Sequence, residues 1–167
     1  MLSKDLQLSI FAAFSEAKRR RHEFLTVEHI LHALLYNDHA QHTLKSLSVN
    51  LHELRGNLDK FLNQKSLQLP DGIKRDPIET PAFQRVIQRA VMHVQSAEKE
   101  KVDAGDVLVA IMQEKESHAC VFLTAGGLTQ LELMRYISHK RGDAMENSED
   151  SGSGFDDDGD EQEGGKE

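Results

Sequence analysis

Tryptophan is absent from this 167-residue chain, aromatic residues make up only 5% of it, and there is a single cysteine, Cys120. The core must therefore rest on Leu, Ile, Val and Ala, and no disulfide can staple the fold. Proline occurs only three times, at 70, 77 and 81, so long stretches on either side of that window are free to be helical. No apolar run reaches the length of a membrane span. The opening MLSKDLQLSI lacks the charged start and apolar core of a signal peptide. These absences predict a cytoplasmic chain that does not engage a membrane.

The formal charge of −8 is unevenly spread. Residues 143–167 hold eleven acidic residues and one lysine, net −10, which leaves residues 1–142 with 19 basic and 17 acidic. The acidic segment has almost no apolar residues to offset its ordering entropy, so it reads as a disordered linker. A nearly neutral body lacks the basic face of a nucleic-acid binder. Its one basic run, KRRR at 18–21, fits a helix C-terminus, where cations complement the helix dipole.

What the chain does have is a repeat. LTVEHILHALL at 25–35 returns as VDAGDVLVAIM at 102–112 in another spelling. At an offset of 77, Thr26 falls on Asp103, both good N-caps. Ile30, Leu31, Ala33, Leu34 and Leu35 fall on Val107, Leu108, Ala110, Ile111 and Met112. Leu6, Ile10, Ala13, Phe14 and Ala17 fall on Phe83, Ile87, Ala90, Val91 and Val94, while Leu44, Leu51 and Leu54 fall on Val121, Leu128 and Leu131. The offset is expected to hold without a gap. The polar positions drift: Glu28, His29 and His32 meet Gly105, Asp106 and Val109, as solvent-facing residues would.

Apolar spacing and punctuation divide each copy into four helices. The first copy predicts a helix with the stripe Leu6 to Ala17, one opening after Thr26, one over Asp38 to Leu47 and one over Asn50 to Phe61. The second predicts helices near 81–98, 104–113, 116–124 and 128–138, with Gly126-Gly127 stopping the third. One copy alone would bury too little surface for comfort. The expected fold is all-α: eight helices, as a tandem pseudo-twofold repeat of two four-helix units, forming one globular and monomeric domain over 1–142. Repeat 1 covers about 2–64, an irregular loop 65–80, and repeat 2 about 81–140, with the acidic linker at 143–167.

Nine histidines invite a metal-dependent reading. His22-Glu23 does not continue as His-Glu-x-x-His. His29 with His32 and His39 with His42 are i, i+3 pairs, but no cysteine joins them and the repeat keeps none of them. There is no phosphate loop and no nucleophile elbow, and Cys120 reads as a buried structural thiol. Binding, not catalysis, is the expected role, with a metal-dependent or a nucleic-acid-binding small helical domain as alternatives.

RHEFLTVEHILHALL at 21–35, FQRVIQRAVMHVQS at 83–96 and VLVAIMQEKESHA at 107–119 together resemble the amino-terminal domains of Clp/Hsp100 AAA+ unfoldases, most closely those of the ClpA type, over about 1–140. The acidic tail resembles the flexible linker of that type. The resemblance implies a non-catalytic docking module of a hexameric ATP-driven unfoldase that feeds the ClpP peptidase. It also implies binding of protein substrates and of ClpS, the adaptor for N-end-rule substrates. No cofactor is implied in this part of the protein; ATP and Mg would belong to modules beyond it. Carried over residue by residue, the partner-binding positions are His22, Glu23, Thr26, Glu28, Thr80, Arg85 and His139, with Glu28 exposed in the first turn of its helix. ClpC-type members bind phosphoarginine through a glutamate in each repeat. Here Glu28 keeps that position and Gly105 does not, so a symmetrical receptor of that kind is not expected.

Overall fold

The computed structural model describes the backbone of residues 1–150 and the side chains of residues 1–140. Eight α-helices appear in chain order: α1 Lys4–Arg19, α2 Val27–Leu34, α3 Asp38–Ser46, α4 Leu51–Leu62, α5 Pro81–Ser96, α6 Ala104–Gln113, α7 His118–Ala125 and α8 Gln130–Asp150. Their starts follow side-chain chemistry. Ser3, Asn37, Asn50, Thr80, Asp103 and Ser117 each cap a helix by accepting a backbone N–H in its first turn. Gly126 and Gly127 end α7 as expected, and Gly127 takes φ 93°, a left-handed conformation that suits glycine.

The pseudo-twofold is visible in the backbone. Arg21 and Glu98, 77 apart, both follow a first helix in the left-handed region, at φ 58° and 55°. A non-glycine residue is disfavoured there by about 1–2 kcal/mol, partly offset by the entropy a glycine would lose. Glu98 is exposed and makes no side-chain bond that its conformation serves, so Glu98→Gly is expected to stabilise by up to about 1 kcal/mol. Chemical denaturation checks this; a loss of stability would mean that Glu98 is held by more than its backbone.

Two short strands were not foreseen, being too brief for any alternation to register. β1 (Phe24–Leu25) pairs in parallel with β2 (Ile78–Glu79), with Phe24 opposite Ile78 and Leu25 opposite Glu79. The same offset carries this pair onto the parallel bridge between Leu2 and Val102. Thr80 N donates to Leu25 O at 3.1 Å, as Ser3 N donates to Val102 O at 2.8 Å. Each copy thus latches the segment before its first helix onto the segment before the other copy's second helix. The halves are interlocked, not merely apposed.

The core runs through α2 and α6. Every residue of Val27–Leu34 is buried, as is every residue from Ala104 to Met112. Helix α1 packs on α2, α5 on α6, and across the repeat boundary α2 meets α7 while α3 meets α6. This overturns the surface reading of the drifting polar positions: Glu28, His29 and Asp106 are 7%, 2% and 1% exposed. They vary between copies because each has its own buried partners, not because solvent tolerates anything.

The ungapped offset also fails beyond α6. Leu44 is buried but Val121 is half exposed, and Leu54 is buried while Leu131 faces solvent. At an offset of 79 the match returns: Ala40, Leu44, Val49 and Leu54 then meet Ala119, Leu123, Leu128 and Leu133, all buried. Two extra residues therefore lie between the cores of α6 and α7. Helix α8 continues to Asp150, past the boundary expected near 142. The rest of the expected linker, 151–167, lies outside the described residues.

Candidate functional site

A cleft of about 290 Å³ opens where the first turn of α2 faces the start of α5 and the loop into α7. It is lined by Thr26 and Glu28 from one copy and by Thr80, Arg85, Glu114 and His118 from the other. Four of the seven positions expected from the sequence to bind a partner thus come together in one place. Thr26 and Thr80 sit two residues beyond Phe24 and Ile78, the exposed apolar pair of the strand ribbon. Glu23 lies outside the cleft, on the flank of β1, where it accepts from Arg75 at 2.6 Å. His139 is exposed on α8 and does not line the cleft.

His22 is only 2% exposed, so its side chain cannot meet a partner directly. Its role is internal. His22 Nε2 lies 3.0 Å from Leu62 O at the end of α4, and His22 Nδ1 lies 2.7 Å from His29 Nε2. His29 Nδ1 accepts from Thr26 N at 3.0 Å and from its hydroxyl at 2.7 Å. One proton assignment satisfies every atom: each ring neutral with its proton on Nε2. Leu62, His22, His29 and Thr26 then form a directed chain that ends at the cleft, with His29 closing a capping box on Thr26. Burial lowers both histidines, His29 to about 3, so neither carries charge near neutrality. In the second copy Asp106 does the same capping job on Asp103, and its charge is met by Lys99 at 2.8 Å.

Glu28 is not the exposed, dipole-facing carboxylate the sequence suggested. It lies across the repeat boundary, with Oε2 accepting from Ala119 N at 3.4 Å in the first turn of α7. Burial raises its carboxyl above the usual range, opposed by that bond and by His118. His118 in turn stacks on Phe61 with ring centroids 4.5 Å apart. Glu28→Arg would therefore bury a guanidinium instead of repainting a surface.

Arg85 stands on the rim as an ion pair. Its Nε and Nη2 donate to Glu114 at 3.2 and 2.6 Å, and Arg89 donates to the same carboxylate at 2.7 Å. The Arg85 bond holds Glu114 below the usual carboxylate range against its partial burial, with help from Arg89. Glu114 and His118 were missed by sequence reading because a lone Glu after a helix and a lone His at an N-terminus carry no signal until folding brings them to Arg85 and Glu28.

The pseudo-twofold carries the Thr26 and His118 side of this cleft onto the edge of a larger cavity of about 550 Å³, lined by His39, His42 and Asp103 and walled by Tyr136, Ile137 and Lys140 of α8, with no residue from the start of α1. There His39 takes the place of His118 and Gly105 that of Glu28. A Cβ on Gly105 would come within 3.2 Å of both Asp103 Oδ1 and Ile137 Cδ1. The two cavities correspond at Thr26 and Asp103 and at His118 and His39, but not in their other walls or their chemistry.

His32 Nε2 sits 2.9 Å from Asp59 Oδ1, and no group of three or more His, Cys, Asp or Glu among the described residues is placed to hold a metal. The basic run is engaged with the protein itself. Lys18 pairs with Asp76, Arg19 and Arg20 with Glu16, and Arg21 donates to the carbonyls of Pro70 and Ile73.

Comparison with known proteins bears on the family and the fold. Residues 1–125 match the model of the Clp repeat (R) N-terminal domain. A ClpA homolog protein of Fuscovulum blasticum is 39% identical over 138 residues, 82% of this chain but only 17% of that protein. Among solved structures, the Hsp104 N-terminal domain from Candida albicans superposes with a TM-score of 0.73 at 13% identity, covering 84% of this chain and 91% of that one. A ClpV N-domain in complex with a VipB peptide superposes with a TM-score of 0.64 at 19% identity, covering 82% of this chain and 84% of that one. At those identities the structural likeness speaks for the fold.

Proposed function

Since the chain belongs to the Clp repeat (R) N-terminal domain family, we propose that it is the docking module of an ATP-driven unfoldase, and that its cleft receives the adaptor ClpS. The observation that carries this reading is the asymmetry of the two copies. Only the first-copy cleft brings together Thr26, Glu28, Thr80 and a rim arginine, so one adaptor would dock per domain. That a related N-domain forms a complex with a peptide supports protein docking as the general task.

In this reading the module performs no catalysis. ATP and Mg serve modules outside this chain, which spans 17% of its ClpA-type relative. Cargo delivered through ClpS, and substrates bound directly, would pass to the ClpP peptidase in the cytoplasm. The acidic segment would tether the module and keep bound cargo at high effective concentration near the machine. No helix among the described residues is long and apolar enough to cross a membrane.

Arg85 offers the clean test because it is exposed, whereas Glu28 is built into the core. Arg85→Glu is expected to weaken ClpS binding at least about tenfold, roughly 1.4 kcal/mol, in titration calorimetry on the purified domain. The melting temperature should move little. Full-strength binding by the folded variant would place the adaptor elsewhere.

A further inference from the structure

The two copies differ at one place that a simple repeat does not explain. Three residues, Leu35–Asn37, separate α2 from α3, while α6 runs two residues past its counterpart and is followed by the four residues Glu114–Ser117. The added length puts Glu114 at the lip of the cleft, where its side chain is only 11% exposed and lies between two guanidinium groups. Shared by Arg85 and Arg89, its single negative charge leaves the trio with a net positive one, offset in part by Glu116 on the same lip. The Nε/Nη2 edge of Arg85 is occupied, and its side chain remains 49% exposed, so the Nη1/Nη2 edge is left to offer two parallel donors outward. In the first copy's own first helix the residue in place of Arg85 is Leu8, which is 67% exposed, carries no charge and does not line the larger cavity.

We propose that Glu114 is the positioning residue of the docking site: it clamps the Nε/Nη2 edge of Arg85 so that the adjacent Nη1/Nη2 edge meets a carboxylate or backbone carbonyl of the docked protein. The inference rests on the docking reading above. A free arginine would have to be ordered on binding; a clamped one is ordered beforehand, and the difference appears mainly in the dissociation rate. The loop insertion between α6 and α7 then accounts for the single site per domain, because it supplies the clamp to one copy only.

A double-mutant cycle with the adaptor tests the coupling. Glu114→Gln is expected to weaken binding at least fivefold in the wild-type background, and less than twofold once Arg85→Ala is present. Arg85→Lys, which keeps the charge but lacks the fork, should weaken binding comparably and be insensitive to Glu114→Gln. An equal loss from Glu114→Gln in both backgrounds, or no loss in the wild type, overturns the positioning role while leaving the docking site standing. Full-strength binding by Arg85→Ala overturns both.

Discussion

Acidification is expected to destabilise the domain steeply, starting at the pKa of an unfolded histidine and not at that of the carboxylates. His29 stays neutral in the folded chain down to about pH 3, whereas the unfolded chain takes up its proton near 6.5. The unfolded state therefore binds more protons between those values, and stability falls as pH falls through that window. Above about 6.5 the contribution is fully present. Each pH unit below it removes about 1.4 kcal/mol per such histidine, so His29 alone accounts for roughly 3 kcal/mol between pH 6.5 and 4.5. His22, also lowered by burial, adds in the same direction. Glu28 works the other way: its raised carboxyl takes up a proton in the folded state first, which favours folding as pH falls.

Geometry supports the histidine effect independently. In the chain from Leu62 O to Thr26 every nitrogen is already either a donor or an acceptor, and a further proton sets two donors face to face. Urea unfolding at pH 7, 6 and 5 measures the slope, and His29→Gln isolates its source. Glutamine at this position can still reach back to the Thr26 N–H, so the capping box is kept while the titrating group is removed. The variant should be less sensitive to pH by about one histidine's share. An unchanged slope would falsify the assignment of the acid sensitivity to this chain. Because His29 stays neutral in the folded domain, the Thr26 side of the cleft should keep its geometry over the same pH range for as long as the domain stays folded.

The residues differ in how plainly the sequence announced them. The stripe from Leu6 to Ala17 and the run from Ile30 to Leu35 were legible because apolar side chains at helical spacing have one physical use. Their counterparts in the second copy are buried to match. The cap at Asp103 was similarly local. What the sequence hid depends on contacts distant in the chain. His22 read as a surface contact, yet it is an interior bridge because Leu62, forty residues on, supplies a carbonyl. Glu28 read as a dipole partner for its own helix, yet it serves α7, ninety-one residues away. The two extra residues before α7 escaped notice because Leu51 and Leu128 still match at the wrong offset. Only burial at Val121 and Leu131 shows the slip.

Leu108→Ala is expected to cost about 2–5 kcal/mol, and Leu31→Ala a similar amount, as large-to-small truncations in closed cores do. Both leucines are fully buried, on the two helices that have no solvent face over the residues they share in the repeat. The surroundings have little freedom to collapse into the gap. Helix α2 is held by α1 and α7 and α6 by α5 and α3, so relaxing one wall would disturb a contact across the repeat boundary. The same interlocking dictates the form of the transition. Each copy's entry segment is hydrogen-bonded to the other copy, at Thr80–Leu25 and Ser3–Val102, so neither half can open without breaking its partner's latch. Either truncation should lower the stability of the whole domain, with far-UV circular dichroism and the near-UV signal of Tyr and Phe moving together in urea. A variant that melts in two steps, one per copy, would show that the repeats are separate units and that the latches are incidental. A loss well under about 2 kcal/mol at both sites would instead mean that the centre of the domain is looser than its burial implies.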